Sequence, residues 1–366
     1  MLKQINDIDS VVIYGAGVMG RNLFRTMTDY PFKKKVLKFI VNSMENNPSE
    51  ICGVPVIPLC EAEAYKNTPV FVALHEKYID GAISDLRNNG FMNLITVSFD
   101  NDIWCDIRKE WMIKNNLLPY GARMCPCSKG GQLKVDDIIH IYVVHSQYDK
   151  ELVENIPDKS YEIPIQVGAS LADEIIFSVR DDNGDNISSK NREYCELTGL
   201  YWVWKNDMSD YVGISHYRRK FILSQEEIRG IISENIDIVV TVPILNLDTV
   251  KGQYIKDHSE EDWSIMAEAI DILTPEYSNA LETVGNSDFY FAYNMFIAKR
   301  EVFIEYCDWL FKILEYCEKK IGHKKDPYQN RYIGFLAERL LTVYIAKHSE
   351  LNVVVAHKHF IETKAS

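Results

Sequence analysis

Short runs of consecutive apolar residues alternate with stretches of helical spacing along the first hundred positions. Strands are predicted at residues 11–14, 36–41, 70–74 and 94–97. Between them, residues 21–30 set Leu23, Phe24 and Met27 on one helical face, and residues 77–89 form an amphipathic helix closed by Gly90. Strands alternating with helices predict a parallel sheet. From 100 to 135 the period fails: Trp104, Trp111 and the 119–131 stretch, with CPCSKGG inside it, suggest a connector. A second α/β pattern begins at Asp137. Its strands are predicted at 138–144, 211–215, 236–242, 289–298 and 353–356, and its helices at 194–204, 263–273, 302–320 and 335–347. At 366 residues the chain is long for one hydrophobic core. Three segments are therefore expected: an α/β domain over 1–100, a connector over 101–135, and a second α/β domain over 136–366.

Charge and composition narrow the class. With 46% apolar and 25% charged residues the chain reads as soluble and globular. A formal net charge of −13 argues against broad nucleic-acid binding, which needs a basic surface. Basic runs occur at Lys33, Lys34 and Lys35 and across Lys319, Lys320, Lys324 and Lys325. Such runs are usually solvated faces, the alternative being contact with an anionic leaflet or a lipid-linked acceptor. The opening MLKQINDIDS is polar and acidic, unlike a signal peptide, and no apolar run approaches the ~20 residues of a spanning helix. A cytoplasmic protein is expected, at most peripheral at the inner face of the membrane. Its eight cysteines then read as thiols, and Cys125 and Cys127 are too close for a usual zinc pair, so no metal is expected.

The strand at 11–14 runs directly into GAGVMG and a helix. Gly15, Gly17 and Gly20 allow a tight turn and close backbone approach, and a helix N-terminus can hold a phosphate. This is the context of a Rossmann-like nucleotide-binding domain. The acid that would hold a ribose at the end of the second strand is absent, because Asn42 stands there. The domain resembles small Rossmann-like domains that precede sugar acyltransferases and other polysaccharide-synthesis enzymes.

Candidate chemistry concentrates in the second domain. The loop DDNGDNISSKN carries Asp182, Asp185, Asn186 and Asn191, and Glu196 follows on a helix with an aromatic face. Three acids in five positions raise calcium, but position 12 of such a loop is Arg192 instead of Glu. A substrate-facing loop fits better, and a capped Asx-rich turn is the bland alternative. The strand at 211–215 runs out into His216, Tyr217, Arg218 and Arg219. Ligand sites lie beyond the carboxyl ends of such strands, and Arg recognises phosphate through paired hydrogen bonds.

These segments, with IPIQVGASL, DDNGDNISSKNREYCELTGLYWVWKN, DYVGISHYRR, AYNMFI and DPYQNRYIGFLAERLL in that order, resemble the DUF4422 family of capsular and exopolysaccharide glycosyltransferases over residues 138–355. The resemblance implies a GT-A-like α/β fold. It also implies transfer of galactose or galactofuranose from a UDP-sugar to a glycan or lipid-linked oligosaccharide acceptor. Most GT-A enzymes hold the donor diphosphate through a metal on Asp-x-Asp; here Arg218 and Arg219 follow the strand instead, so metal-independent transfer with no cofactor is expected. An inverting transfer needs a general base. The candidates are Asp262, then His258 and Glu261, although acids also collect in first helical turns for capping. Arg331, Glu338 and Arg339 could line the acceptor side or pair among themselves. Two other readings stay open: an NAD-linked or sugar-nucleotide-modifying enzyme working from the first domain, and a non-catalytic nucleotide-sugar sensor.

Overall fold

A computed structural model describes residues 2–129 and 138–364, which fall into two compact units. Unit 1 comprises Met1–Leu118 with Leu245–Leu247, and unit 2 comprises Pro119–Ile244 and Asp248–Ser366. The expected boundary at 135/136 lies outside the described residues.

In unit 1 the order is α1 (Leu2–Asn6), β1 (Ser10–Tyr14), α2 (Val18–Thr28), β2 (Lys35–Val41), β3 (Glu50–Ile51), β4 (Val54–Pro58), β5 (Val70–Ala73), α3 (Ile79–Asn88), β6 (Leu94–Val97) and α4 (Asp102–Lys114). Strand order is β3-β4-β2-β1-β5-β6, parallel except for the β3–β4 pair. The apolar runs are buried because helices cover both faces of a parallel sheet: Val11, Val12, Ile13, Phe71 and Val72 are fully enclosed. The glycine turn needs its glycines for room. Gly15 has φ +114, and a Cβ there would sit 2.5 Å from the Ala73 carbonyl oxygen; one at Gly20 would sit 2.0 Å from the Gly15 carbonyl oxygen. Part of the expected connector is the helix α4. Trp104, Ile107, Arg108 and Trp111 do recur at helical spacing and are buried, and Trp111 Nε1 donates to Asp29 at 2.9 Å.

Unit 2 carries β7 (Arg123–Met124), β8 (Ile139–His145), β9 (Glu162–Gln166), α5 (Asn191–Tyr194), α6 (Leu197–Asn206), β10 (Tyr211–His216), β11 (Arg219–Ile222), α7 (Gln225–Ser233) and β12 (Ile238–Thr241). After β13 (Ile244–Leu245) come α8 (Val250–Asp257), α9 (Glu260–Leu273), α10 (Ser278–Asn286), β14 (Phe289–Tyr290), β15 (Phe296–Lys299), α11 (Arg300–Ile321), α12 (Tyr332–Lys347) and β16 (Val353–Phe360). Its main sheet is mixed, in the order β11-β16-β12-β15-β10-β8-β9, with β7 on β16. One core cluster joins sheet residues Ile139, Ile141, Val239, Ile297 and Val354 to Ile228 and Ile231 of α7. Elsewhere Phe296 packs edge-on to Tyr306 of α11 at 5.2 Å, and α11 packs on α9 and α12. Each such aliphatic side chain contributes roughly 1.5–3 kcal/mol by leaving water.

Two expected elements are divided. The helix over 194–204 is broken at Cys195, whose φ of +51 separates α5 from α6. The strand over 289–298 is interrupted by Tyr293 and Asn294, at φ +73 and +52.

Candidate functional site

The carboxyl ends of the parallel neighbours β8 and β10 open into a cavity of about 800 Å³ in unit 2. His145, Ser146, Tyr148 and Asp149 line it beyond β8; His216, Tyr217, Arg218 and Arg219 line it where β10 turns into β11. Asn191, Arg192, Cys195 and Glu196 enter from α5 and the kink after it, and His323, Lys324, Lys325, Asn330 and Arg331 from the segment before α12. Six basic residues (Arg192, Arg218, Arg219, Lys324, Lys325 and Arg331) and two acidic ones, Asp149 and Glu196, line the cavity, although the Lys324 ammonium itself is bonded to Asp262 outside the lining. The wall is electropositive although the chain as a whole is acidic.

Local structure explains how these side chains are held. The Arg218 guanidinium lies 4.6 Å over the Phe360 ring, and that of Arg219 lies 4.9 Å over Tyr293 and 5.4 Å over Phe360. Aromatic rings hold the two guanidinium groups in place. The Nε atom of Arg218 is buried and has no hydrogen-bond partner among the described residues. Asn191 donates to the Cys195 carbonyl oxygen at 2.7 Å and to Thr198 Oγ1 at 2.9 Å, which stabilises the kink. At that kink Arg331 Nε approaches Cys195 Sγ at 3.2 Å, and burial pushes the Cys195 thiol up to about 11, so it is present as the thiol at neutral pH. Glu196 accepts from Asn294 Nδ2 at 2.6 Å, which is one reason the chain at Asn294 adopts its left-handed conformation. The neighbouring Tyr293 N–H is taken by Glu338 at 3.1 Å.

Of the expected donor-site residues, Asn191, Glu196, His216, Arg218 and Arg219 come together in this cavity. Asp182, Asp185 and Asn186 are not among its lining residues. Asp182 pairs with Arg180 at 3.2 Å, Asp185 accepts from the Tyr201 hydroxyl at 3.2 Å, and Asn186 bonds Gly184 and Ser188 within its own loop. That loop is anchored by Asp181, which is fully buried and accepts from Gly168 N, Ala169 N and Ser188 Oγ.

The three expected bases also lie outside the lining. Asp262 is 1% exposed, and both its oxygens accept from Lys324 Nζ, at 2.6 and 2.5 Å. Burial nevertheless raises its carboxyl above the ordinary range, outweighing Lys324. His258 stacks on Phe335 at 4.1 Å and packs on Tyr254 at 4.9 Å; burial, with Arg339 nearby, pushes its imidazole down to about 4. Glu261 is exposed in the first turn of α9. The basic run divides: Lys319 and Lys320 pair with Glu315 and Glu268, whereas Lys324 and Lys325 are lining residues of the cavity, Lys324 with its ammonium on Asp262. Arg339 pairs with Glu338 at 2.8 Å, whereas Arg331 lines the cavity.

His145 and Asp149 escaped the sequence reading. The signal was available, since HSQYD follows the strand at 138–144 just as HYRR follows the one at 211–215.

Unit 1 has its own cavity, of about 650 Å³, lined by Gly15, Ala16, Gly17, Asn42, Ser43, Lys77 and Asp85 among others. Gly20 lies beneath the turn, against Gly15. A Cβ added at Gly17 would meet nothing within 4 Å, so this glycine leaves open space above the turn. Asn42 accepts from the Tyr14 hydroxyl and donates to Asp85 at 3.3 Å. Among the described residues no three His, Cys, Asp or Glu side chains are grouped to hold a metal ion, and no helix is long and apolar enough to cross a membrane.

No curated protein matches the chain. Among solved structures it is similar to the apo structure of the bifunctional glycosyltransferase WbbM, with 29% sequence identity and a TM-score of 0.55. The match covers 62% of this chain and 46% of WbbM, so the chain spans less than half the length of that protein. The family model for a domain of unknown function, DUF4422, matches residues 140–349, which is more than half of the chain and contains both strand ends that build the cavity. The chain belongs to the DUF4422 family.

Proposed function

We propose that unit 2 is a glycosyltransferase that binds a UDP-sugar in the cavity beyond β8 and β10 and passes the sugar to a glycan acceptor. The observation that carries this is the cation cluster at the end of β10, where Arg218 and Arg219 are held by aromatic rings and the Arg218 Nε lacks a partner among the described residues. A diphosphate would supply the partner that Arg218 Nε lacks, and two guanidinium groups would meet the negative charge that grows on departing UDP. The 29% identity to a bifunctional glycosyltransferase supports the same reaction class. No divalent ion is required on this reading, because the arginines stand where Asp-x-Asp would hold one. Galactose or galactofuranose is the proposed sugar, and the acceptor a growing capsular, exopolysaccharide or O-antigen chain. If that acceptor is lipid-linked, the protein works at the inner face of the membrane.

Calorimetry with UDP on the full chain, with and without EDTA, tests this. Unchanged UDP binding in EDTA is expected. Arg218→Ala should weaken it roughly 10- to 100-fold, the loss of a charge-assisted hydrogen bond of about 1.5–3 kcal/mol. Binding that vanishes in EDTA, or that Arg218→Ala leaves intact, would refute the arginine cradle. A second reading, a nucleotide site in unit 1, is favoured by the open space over Gly17. Binding of NAD⁺ but not UDP would establish it, and Asn42 in place of a ribose-binding carboxylate counts against it.

A further inference from the structure

We propose that His145, paired with Asp149, is the general base of this transfer; the inference rests on the glycosyltransferase reading above. His145 closes β8 at its carboxyl end, beside β10, to which β8 pairs in parallel through Val144 and His216. It therefore lies at the same edge of the sheet as the arginines proposed to hold the leaving group. Its Nδ1 is 3.3 Å from Asp149 Oδ2, and the two side chains are 20% and 21% exposed. The ring is held between Phe177, at 4.6 Å, and Tyr217, at 5.9 Å. The contact is a charge pair and not a hydrogen bond, since Asp149 Oδ2 has no hydrogen-bond partner among the described residues. A carboxylate beside Nδ1 favours positive charge on the ring, and Nε2 is the nitrogen left to receive a proton.

Three competing groups are otherwise engaged. Glu196 is bonded to Asn294, and Asp262 to Lys324. His323 is 69% exposed and pairs with Glu193, which is outside the lining. Asp149 from its own loop and Tyr217 from the β10–β11 turn contact His145, and His216 and Arg218 of that turn line the same cavity. Arg218 lies on the side proposed for the diphosphate, so the cation and the base have separate tasks.

The step balances as follows. The acceptor hydroxyl oxygen bonds to C1 of the donor sugar while the bond from C1 to the UDP oxygen breaks. That electron pair stays on the β-phosphate, facing Arg218 and Arg219, and the hydroxyl proton passes to Nε2 of His145. C1 inverts. With water in place of the glycan, the same step releases UDP and free sugar.

The test uses the full chain with UDP-galactose and, separately, UDP-galactofuranose. UDP release is followed from pH 5 to 9, the anomer first formed is read by proton NMR, and UDP affinity is measured by calorimetry. The inference expects inversion at C1 and a wild-type rate that climbs with pH. His145→Gln should lose about 10²- to 10⁴-fold in rate together with that climb, while UDP affinity stays within about threefold. Asp149→Asn should lose rate while UDP affinity stays within about threefold, since it removes the charge that favours a proton on the ring. Wild-type turnover in His145→Gln, retention at C1, or a loss confined to UDP affinity would each overturn the assignment. Wild-type protein that binds UDP but releases none from either donor would instead remove the transferase reading, and this inference with it.

Discussion

Replacing Lys324 by Met should destabilise unit 2 by an amount that depends on pH. The ammonium of Lys324 is bonded to both oxygens of Asp262, which is 1% exposed. Removing one partner of a buried pair typically costs about 3–5 kcal/mol. Lys324 itself is 21% exposed, so water reaches part of the pair and the lower end of that range applies. The abandoned carboxyl has an escape, which is to take up a proton. From an ordinary carboxyl pKa the uptake costs about 5–6 kcal/mol at pH 8 but only about 1.5 kcal/mol at pH 5. Lys324→Met should therefore lose about 3 kcal/mol at pH 8 and no more than about 1.5 kcal/mol at pH 5. The sign follows from linkage: Asp262 in the variant titrates above its unfolded value, so the native state holds the extra proton and gains stability as pH falls. Urea unfolding of both proteins at the two pH values measures this, with Asp262→Asn/Lys324→Met expected to recover most of the loss. A variant within about 0.5 kcal/mol of wild type at pH 8, or one equally destabilised at both pH values, would refute the reasoning.

The His258 imidazole, pushed down to about 4 by burial and Arg339, should show an NMR titration near that value; one near 6.5 would contradict the stacked, desolvated ring. Its contribution to stability is complete above about pH 6.5 and drains as pH falls through 4, by about 1–2 kcal/mol once partial exposure is allowed for, and His258→Gln should lack that loss. Gly230→Ala would put a Cβ 2.1 Å from the Pro126 carbonyl oxygen, so a loss of about 1–3 kcal/mol is expected in urea unfolding, and an unchanged midpoint would show that the backbone there yields.

Much of the fold was legible because buried parallel strands are written as unbroken apolar runs, as at 11–14 and 70–74. The strand β9 was not, since its sequence EIPIQ contains Pro164; among the described strands β9 pairs with β8 alone, apart from a bridge of Gln166 to Arg180, and at such an edge a missing N–H is tolerated. The helix α4 was hidden by Arg108, a charged residue buried on its apolar face with its guanidinium 5.4 Å from the Trp104 ring. The break at Tyr293 and Asn294 was beyond reach, because the carboxylates that accept from them belong to Glu338 and Glu196, distant in sequence. For the candidate site, the rule that ligands gather beyond strand ends points to His216, Arg218 and Arg219 after β10 and equally to His145 and Asp149 after β8, all of which line the cavity. Polar density in the 181–186 loop pointed to a ligand, yet much of that polarity is spent within the loop and on its anchors.

Strand β16 follows every other strand of its sheet in sequence, yet it lies inside that sheet, parallel to β7 and β12 and antiparallel to β11. A ribosome therefore delivers the other strands before the one that joins them. Until β16 is made, β11 and β12 each present an open edge, and the turn bearing Arg218 and Arg219 lacks Phe360, over whose ring both guanidinium groups rest. The nascent protein is thus most exposed to mispairing in the interval between synthesis of β12 and of β16, which is when chaperone protection would matter most.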